Sequence, residues 1–89
     1  MLQINLTKQA KKFFESLVAK NQRQLGIKLQ ELRLNPQPHD AKLLKGYSYC
    51  RADCGEYRII YQFDSVVLDI LLIEKRNDDL VYKKLKRSK

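Results

Sequence analysis

The chain has 89 residues, with 18 Lys+Arg against 10 Asp+Glu and a net charge of +8 at pH 7. This length fits one domain, residues 1–89, and a fold so small leaves little room for a deep cofactor pocket, so chemistry is expected on an open or shallow face. At 44% hydrophobic and 31% charged the composition is that of a globular chain, and the positive balance points to a polyanion or an acidic protein as partner.

Met1–Thr7 has no basic start followed by an apolar run, so no signal peptide is expected. The longest apolar stretch, 66–73, is interrupted by Asp69 and far shorter than the ~20 residues a membrane span requires. A cytoplasmic protein with reduced thiols at Cys50 and Cys54 follows, with no membrane partner.

In chain order, Leu2–Leu6 alternates apolar and polar residues, the period of a strand with one buried face. Thr7 fits an N-cap, and Ala10, Phe13, Phe14, Leu17 and Val18 then form one stripe of an amphipathic helix. A second helix is predicted from about Gln22 to Leu34, with Leu25, Leu29 and Leu32 on one face and Gly26 weakening it. It stops at Asn35-Pro36-Gln37-Pro38, since proline removes a donor and restricts its neighbour. From Tyr47 the period becomes two, giving strands Tyr47–Asp53, Tyr57–Asp64 and Val66–Lys75 with turns at Cys54-Gly55 and Asp64-Ser65. Asn77 suits the cap of a short C-terminal helix or tail. The order β-α-α-β-β-β predicts an α+β fold, two helices packed on one face of a mainly antiparallel sheet.

A hairpin with an even loop at Cys54-Gly55 pairs Ala52 with Tyr57 and Cys50 with Ile59 on a core face. It sets Arg51 directly opposite Arg58 on the other face. Like charges so placed repel unless an anion, or a carboxylate such as Asp53 or Glu56, lies between them. The bland alternative is two separately solvated arginines; an odd loop with a bulge at Gly55 would put them on opposite faces. Lys75–Lys89 holds seven basic and two acidic residues, either a solubilising tail or part of a cationic surface with Tyr82. A cationic sheet face, a cationic strand end and a nearby phenol together suit a phosphodiester.

Other chemistry is poorly supplied. His39 is the only histidine, which removes histidine-pair and triad mechanisms. Cys50 and Cys54 read as ordinary thiols, since structural zinc needs four ligands and no second pair exists. Glu74, Asp78 and Asp79 are interleaved with Lys75 and Arg76, which favours ion pairing or capping over a metal site. No metal or other cofactor is expected.

Leu43-Leu44-Lys45-Gly46, Arg51-Ala-Asp-Cys-Gly55-Glu-Tyr57-Arg58-Ile-Ile-Tyr61 and Lys75-Arg76-Asn-Asp-Asp-Leu-Val81-Tyr82 resemble the RelE/ParE toxin superfamily of bacterial toxin–antitoxin systems, and the ending resembles its RelE branch. That resemblance implies a metal-free, ribosome-dependent mRNA endonuclease acting by 2′-hydroxyl attack. It makes Arg58 the residue stabilising the phosphorane, Arg76 a second arginine near the scissile phosphate, and Tyr82 the tyrosine that stacks on or polarises the nucleotide. Arg51, Lys45, Lys75, Lys83 and Lys84 are the expected RNA contacts. The implied partners are the ribosome with mRNA, an acidic cognate antitoxin, and operator DNA only through the antitoxin complex. One departure stands out: the second basic residue expected on the strand of Arg51 is missing, and its candidate positions hold Tyr49 and Asp53. A carboxylate there blunts charge stabilisation, leaving a weaker nuclease or one that relies on Lys45 or Lys75. The alternatives on the same scaffold are a ParE-like gyrase inhibitor and a non-toxic antitoxin-binding homologue.

Overall fold

A computed structural model describes residues 1–37, 42–43 and 49–76. The chain runs Gln3–Leu6 (β1), Lys8–Glu15 (α1), Ala19–Leu34 (α2), Lys42–Leu43 (β2), Cys50–Cys54 (β3), Tyr57–Phe63 (β4) and Val67–Lys75 (β5). The strands form one sheet in the order β1-β5-β4-β3-β2, antiparallel except where β1 runs parallel to β5. The two-helix, α+β arrangement expected from the sequence is therefore present, with the short β2 added at one edge.

Local chemistry explains the boundaries. Thr7 caps α1, its hydroxyl accepting from the Ala10 N–H at 3.3 Å, and Ser16 closes it by donating to the Phe13 carbonyl. The helix ends at Glu15, so of the predicted stripe Leu17 packs on the core from the connector while Val18 stays exposed. The second helix starts at Ala19, three residues earlier than the apolar pattern marked, because its first turn is polar and carries no period. It ends before Pro36, as the prolines require.

One sheet face and the helices enclose the core: Ala10, Leu25, Leu29 and Leu32 meet Cys50, Ala52, Cys54, Tyr57, Ile59, Tyr61, Leu68, Ile70 and Ile73. The edge of Phe13 meets the Tyr57 ring at 5.8 Å, a favoured aromatic geometry. The buried phenols keep partners: Asn21 Nδ2 donates to Tyr57 Oη, and Tyr61 Oη donates to the Pro36 carbonyl at 2.6 Å. Burial first, then the nearby Glu56, raises the Tyr57 hydroxyl above its ordinary pKa.

β1 ends at Leu6, opposite Ile70, so β5 continues beyond its neighbour. The chain closes that edge from α1. The Thr7 hydroxyl donates to the Leu71 carbonyl, and the Gln9 side-chain amide both donates to the Ile73 carbonyl and accepts from its N–H, each at 3.0 Å. One glutamine thus replaces a strand neighbour and satisfies two backbone groups that would otherwise need one.

Candidate phosphodiester site on the sheet face away from the helices

The β3–β4 hairpin decides which charges meet. Its loop is Gly55-Glu56, with Cys54 paired to Tyr57, and Gly55 takes φ +59 as a primed two-residue turn requires. The sequence reading placed this turn one residue earlier. The loop length is unchanged, so every side chain keeps its expected face, but each residue's partner moves by two positions along the facing strand. Ala52 pairs with Ile59 and Cys50 with Tyr61 on the core side. The expected Arg51–Arg58 opposition does not occur: Arg51 faces Ile60 on one side and Lys42 on the other, while Arg58 faces Asp53. The turn slips because only glycine adopts a positive φ cheaply at its first corner, and that glycine is residue 55.

On the face away from the helices, three strands therefore contribute one row: Asp53 on β3, Arg58 on β4 and Glu74 on β5. Arg58 Nε lies 3.0 Å from Asp53 Oδ1, and Arg76 Nε lies 3.7 Å from Asp53 Oδ2. One carboxylate thus engages two guanidiniums, an oxygen to each. Side-chain exposure is 14% for Arg58, 34% for Asp53 and 49% for Arg76, so the cluster runs from a nearly buried base to an open rim. Ile60 and Leu72, both buried, are the next residues along this face of β4 and β5 and lower the local dielectric beneath the row. Glu74 is buried, and Gln9 Nε2 donates to its Oε1 at 2.8 Å while also holding Ile73. Arg76 is tethered as β5 ends, its backbone N–H donating to the Glu56 carbonyl at 2.8 Å.

The row itself holds one arginine and two carboxylates, and Arg76 at the end of β5 brings the cluster to two of each sign. Among the described residues the face expected to be cationic is thus mixed, and Arg58 is mostly buried and paired, not an exposed solvated side chain. Arg51 shares the face two residues from Asp53. Lys75 does not: it pairs with Tyr57 across the strands, on the helix side, and is exposed at the rim. Tyr82, Lys45, Lys83 and Lys84, along with His39, lie outside the described residues, as does the predicted C-terminal helix. Glu74 and Gln9 were absent from the sequence-based site; the signal for Glu74 was an acid following the apolar run Ile70–Ile73 of β5.

Cys50 and Cys54 are buried on the opposite, core face, and burial pushes both thiols above their ordinary pKa. Lys28 draws Cys54 back down and Glu31 opposes it. Cys54 Sγ donates to the Gln24 carbonyl at 3.6 Å.

The profile of the family described as "ParE toxin of type II toxin-antitoxin system, parDE" matches residues 4–80. The chain belongs to that toxin family. Solved structures agree on the fold. A chain in the archaeal RelE–RelB complex from Pyrococcus horikoshii OT3 is 27% identical, with TM-score 0.73, covering 86% of this chain and 97% of that one. The isolated E. coli RelE toxin is 22% identical with TM-score 0.76 over 99% of this chain and 98% of that one. A chain in the RelB–RelE antitoxin–toxin complex from Methanococcus jannaschii is 18% identical with TM-score 0.67, over 89% and 95%. No curated protein sequence matches. The protein is a RelE/ParE-superfamily toxin of a type II toxin–antitoxin system, and the superfamily expected from its motifs is the one found.

Proposed function

We propose that this toxin is a ribosome-dependent mRNA endonuclease. The observation that carries the reading is the convergence of Arg58 and Arg76, the two residues the RelE resemblance assigns to the scissile phosphate, on a single carboxylate. Two guanidiniums aimed at one pair of oxygens form an anion site of the size a phosphodiester needs.

In this reading the 2′-oxygen attacks the adjacent phosphorus and the P–O5′ bond breaks, leaving a 2′,3′-cyclic phosphate and a 5′-hydroxyl. The 2′-hydroxyl loses its proton and the departing O5′ gains one. Negative charge grows on the non-bridging oxygens in the transition state, and fixed guanidiniums stabilise it without reorganising. Arg58 suits this role: β4 fixes its backbone and its side chain is mostly buried. Arg76 approaches from the rim, and Tyr82 supplies stacking or a hydroxyl. Arginine stays protonated and makes a poor base, so orientation within the ribosome carries much of the rate. Arg51, Lys45, Lys75, Lys83 and Lys84 contact the RNA backbone. An acidic antitoxin neutralises the +8 chain in the cytoplasm, as RelB accompanies RelE in the archaeal complexes.

A second reading has its own support. The matching profile is that of ParE toxins, and the neutral cluster weakens the case for phosphate chemistry; both favour a gyrase inhibitor. Pulse labelling after induced expression separates them. The nuclease reading expects protein synthesis to stop first, with plasmid supercoiling intact and growth restored by co-expressed antitoxin. Loss of supercoiling with continued translation would transfer the assignment to gyrase.

A further inference from the structure

We propose that Asp53 is a resident occupant of the anion site: its carboxylate holds the place of a phosphate between Arg58 and Arg76 and makes the site selective against loosely held RNA. The inference rests on the reading of those arginines as the phosphodiester site and adds a specificity-determining residue to it.

The geometry supports substitution of one anion for another. A carboxylate presents two oxygens in a plane; here Oδ1 accepts from Arg58 Nε at 3.0 Å, and Oδ2 is ion-paired with Arg76 Nε at 3.7 Å. A phosphodiester presents two non-bridging oxygens to the same kind of donors. Asp53 is tied to Arg58 by strand register, not by chance contact, because β3–β4 pairing puts the two directly opposite. It is also a third exposed, and its Arg76 partner is about half exposed, so an incoming anion reaches the contact from solvent. Glu74 contributes a second negative charge on the other flank, as the neighbour of Arg58 on β5.

An RNA backbone entering this site meets a carboxylate already bonded to the groups it needs. It must move Asp53 away from both arginines or accept repulsion beside it. A diffusing single strand offers one phosphate and little else. A strand held by a larger assembly supplies binding energy from its other contacts, and that energy drives the exchange. The arrangement thus gives a physical basis for acting on presented substrate and sparing free RNA.

The test is binding of a fluorescent single-stranded 2′-O-methyl RNA oligonucleotide, which lacks the attacking hydroxyl, to the isolated toxin. Asp53→Asn keeps the shape and a hydrogen-bond acceptor while removing the charge. It is expected to bind about tenfold tighter than wild type at low salt, with a salt slope steeper by about 0.7. Arg58→Ala in the Asp53→Asn background is expected to erase the gain. Glu15→Gln, which removes a charge from α1, is expected to leave binding within about twofold of wild type. If Asp53→Asn melts below the assay temperature, Asp53→Ser carries the same comparison. Unchanged or weaker binding by the folded variant, or a gain matched by Glu15→Gln, overturns the inference. A gain in binding without any cleavage on ribosomes would retain the inference and remove the nuclease reading; cleavage with no gain would do the reverse.

Discussion

Arg58 lies between Asp53 and Glu74, and its replacement has two separable consequences. Arg58→Ala is expected to abolish cleavage, and it also leaves Asp53 without its 3.0 Å partner. With that side chain 14% exposed and its partner a third exposed, the cost is about 1–2 kcal/mol, read as a lowered denaturation midpoint. That cost is not legible in the sequence, where a strand arginine on the solvent face reads as separately solvated and contributes little to stability. The arginines were legible through motif resemblance and Asp53 as a carboxylate that could lie between arginines; which arginines it joins was not, because the hairpin register puts it opposite Arg58 and beside Arg76 instead of between Arg51 and Arg58. Asp64 offers a pH test. The Val67 and Val66 N–H groups both donate to its Oδ1 at 2.7 Å and hold the carboxyl below its ordinary pKa. A depressed folded pKa contributes stability above the unfolded value of about 3.9, and that contribution disappears as pH falls through the folded value. Asp64→Asn is expected to melt lower than wild type at pH 7, with the gap closing below about pH 4.

At the level of elements, the two glycines among the described residues act in opposite directions. Gly26 lies within α2 with open space where a Cβ would stand, so Gly26→Ala is expected to stabilise by up to about 1 kcal/mol. Gly55 has φ +59, and a Cβ there would crowd the Gln24 amide; Gly55→Ala is expected to destabilise by about 1–2 kcal/mol. Chemical denaturation of both variants beside wild type checks the pair. Gln9→Ala removes the group that completes the edge of β5 and is expected to cost about 1–3 kcal/mol. Periodicity located both helices and all three long strands, since a helix stripe and a strand alternation each require burial of one face. It could not locate β2, two residues long, nor the glutamine standing in for a strand, because neither has a period.

Across the whole molecule, two faces of one sheet are given to different tasks. Cys50, Ala52, Cys54, Tyr57 and Ile59 meet the helices, while Arg51, Asp53 and Arg58 face away from them. Strand alternation already separates these sets in the sequence. Both thiols lie on the buried side with raised pKa, so each is expected to react with a thiol reagent only as the protein unfolds. A rapid reaction of either in the native protein would contradict this packing. The charged residues Asp53, Arg58 and Glu74 thus share the face away from the helices, and their mixed signs are where this toxin departs from a simple cationic surface.

Primer extension on a defined mRNA in a purified translation reaction tests the central claim most directly, comparing wild type and Arg58→Ala with and without ribosomes. New stops that require ribosomes and vanish with Arg58→Ala are the expected result. Intact mRNA in the presence of folded, toxic protein would contradict it.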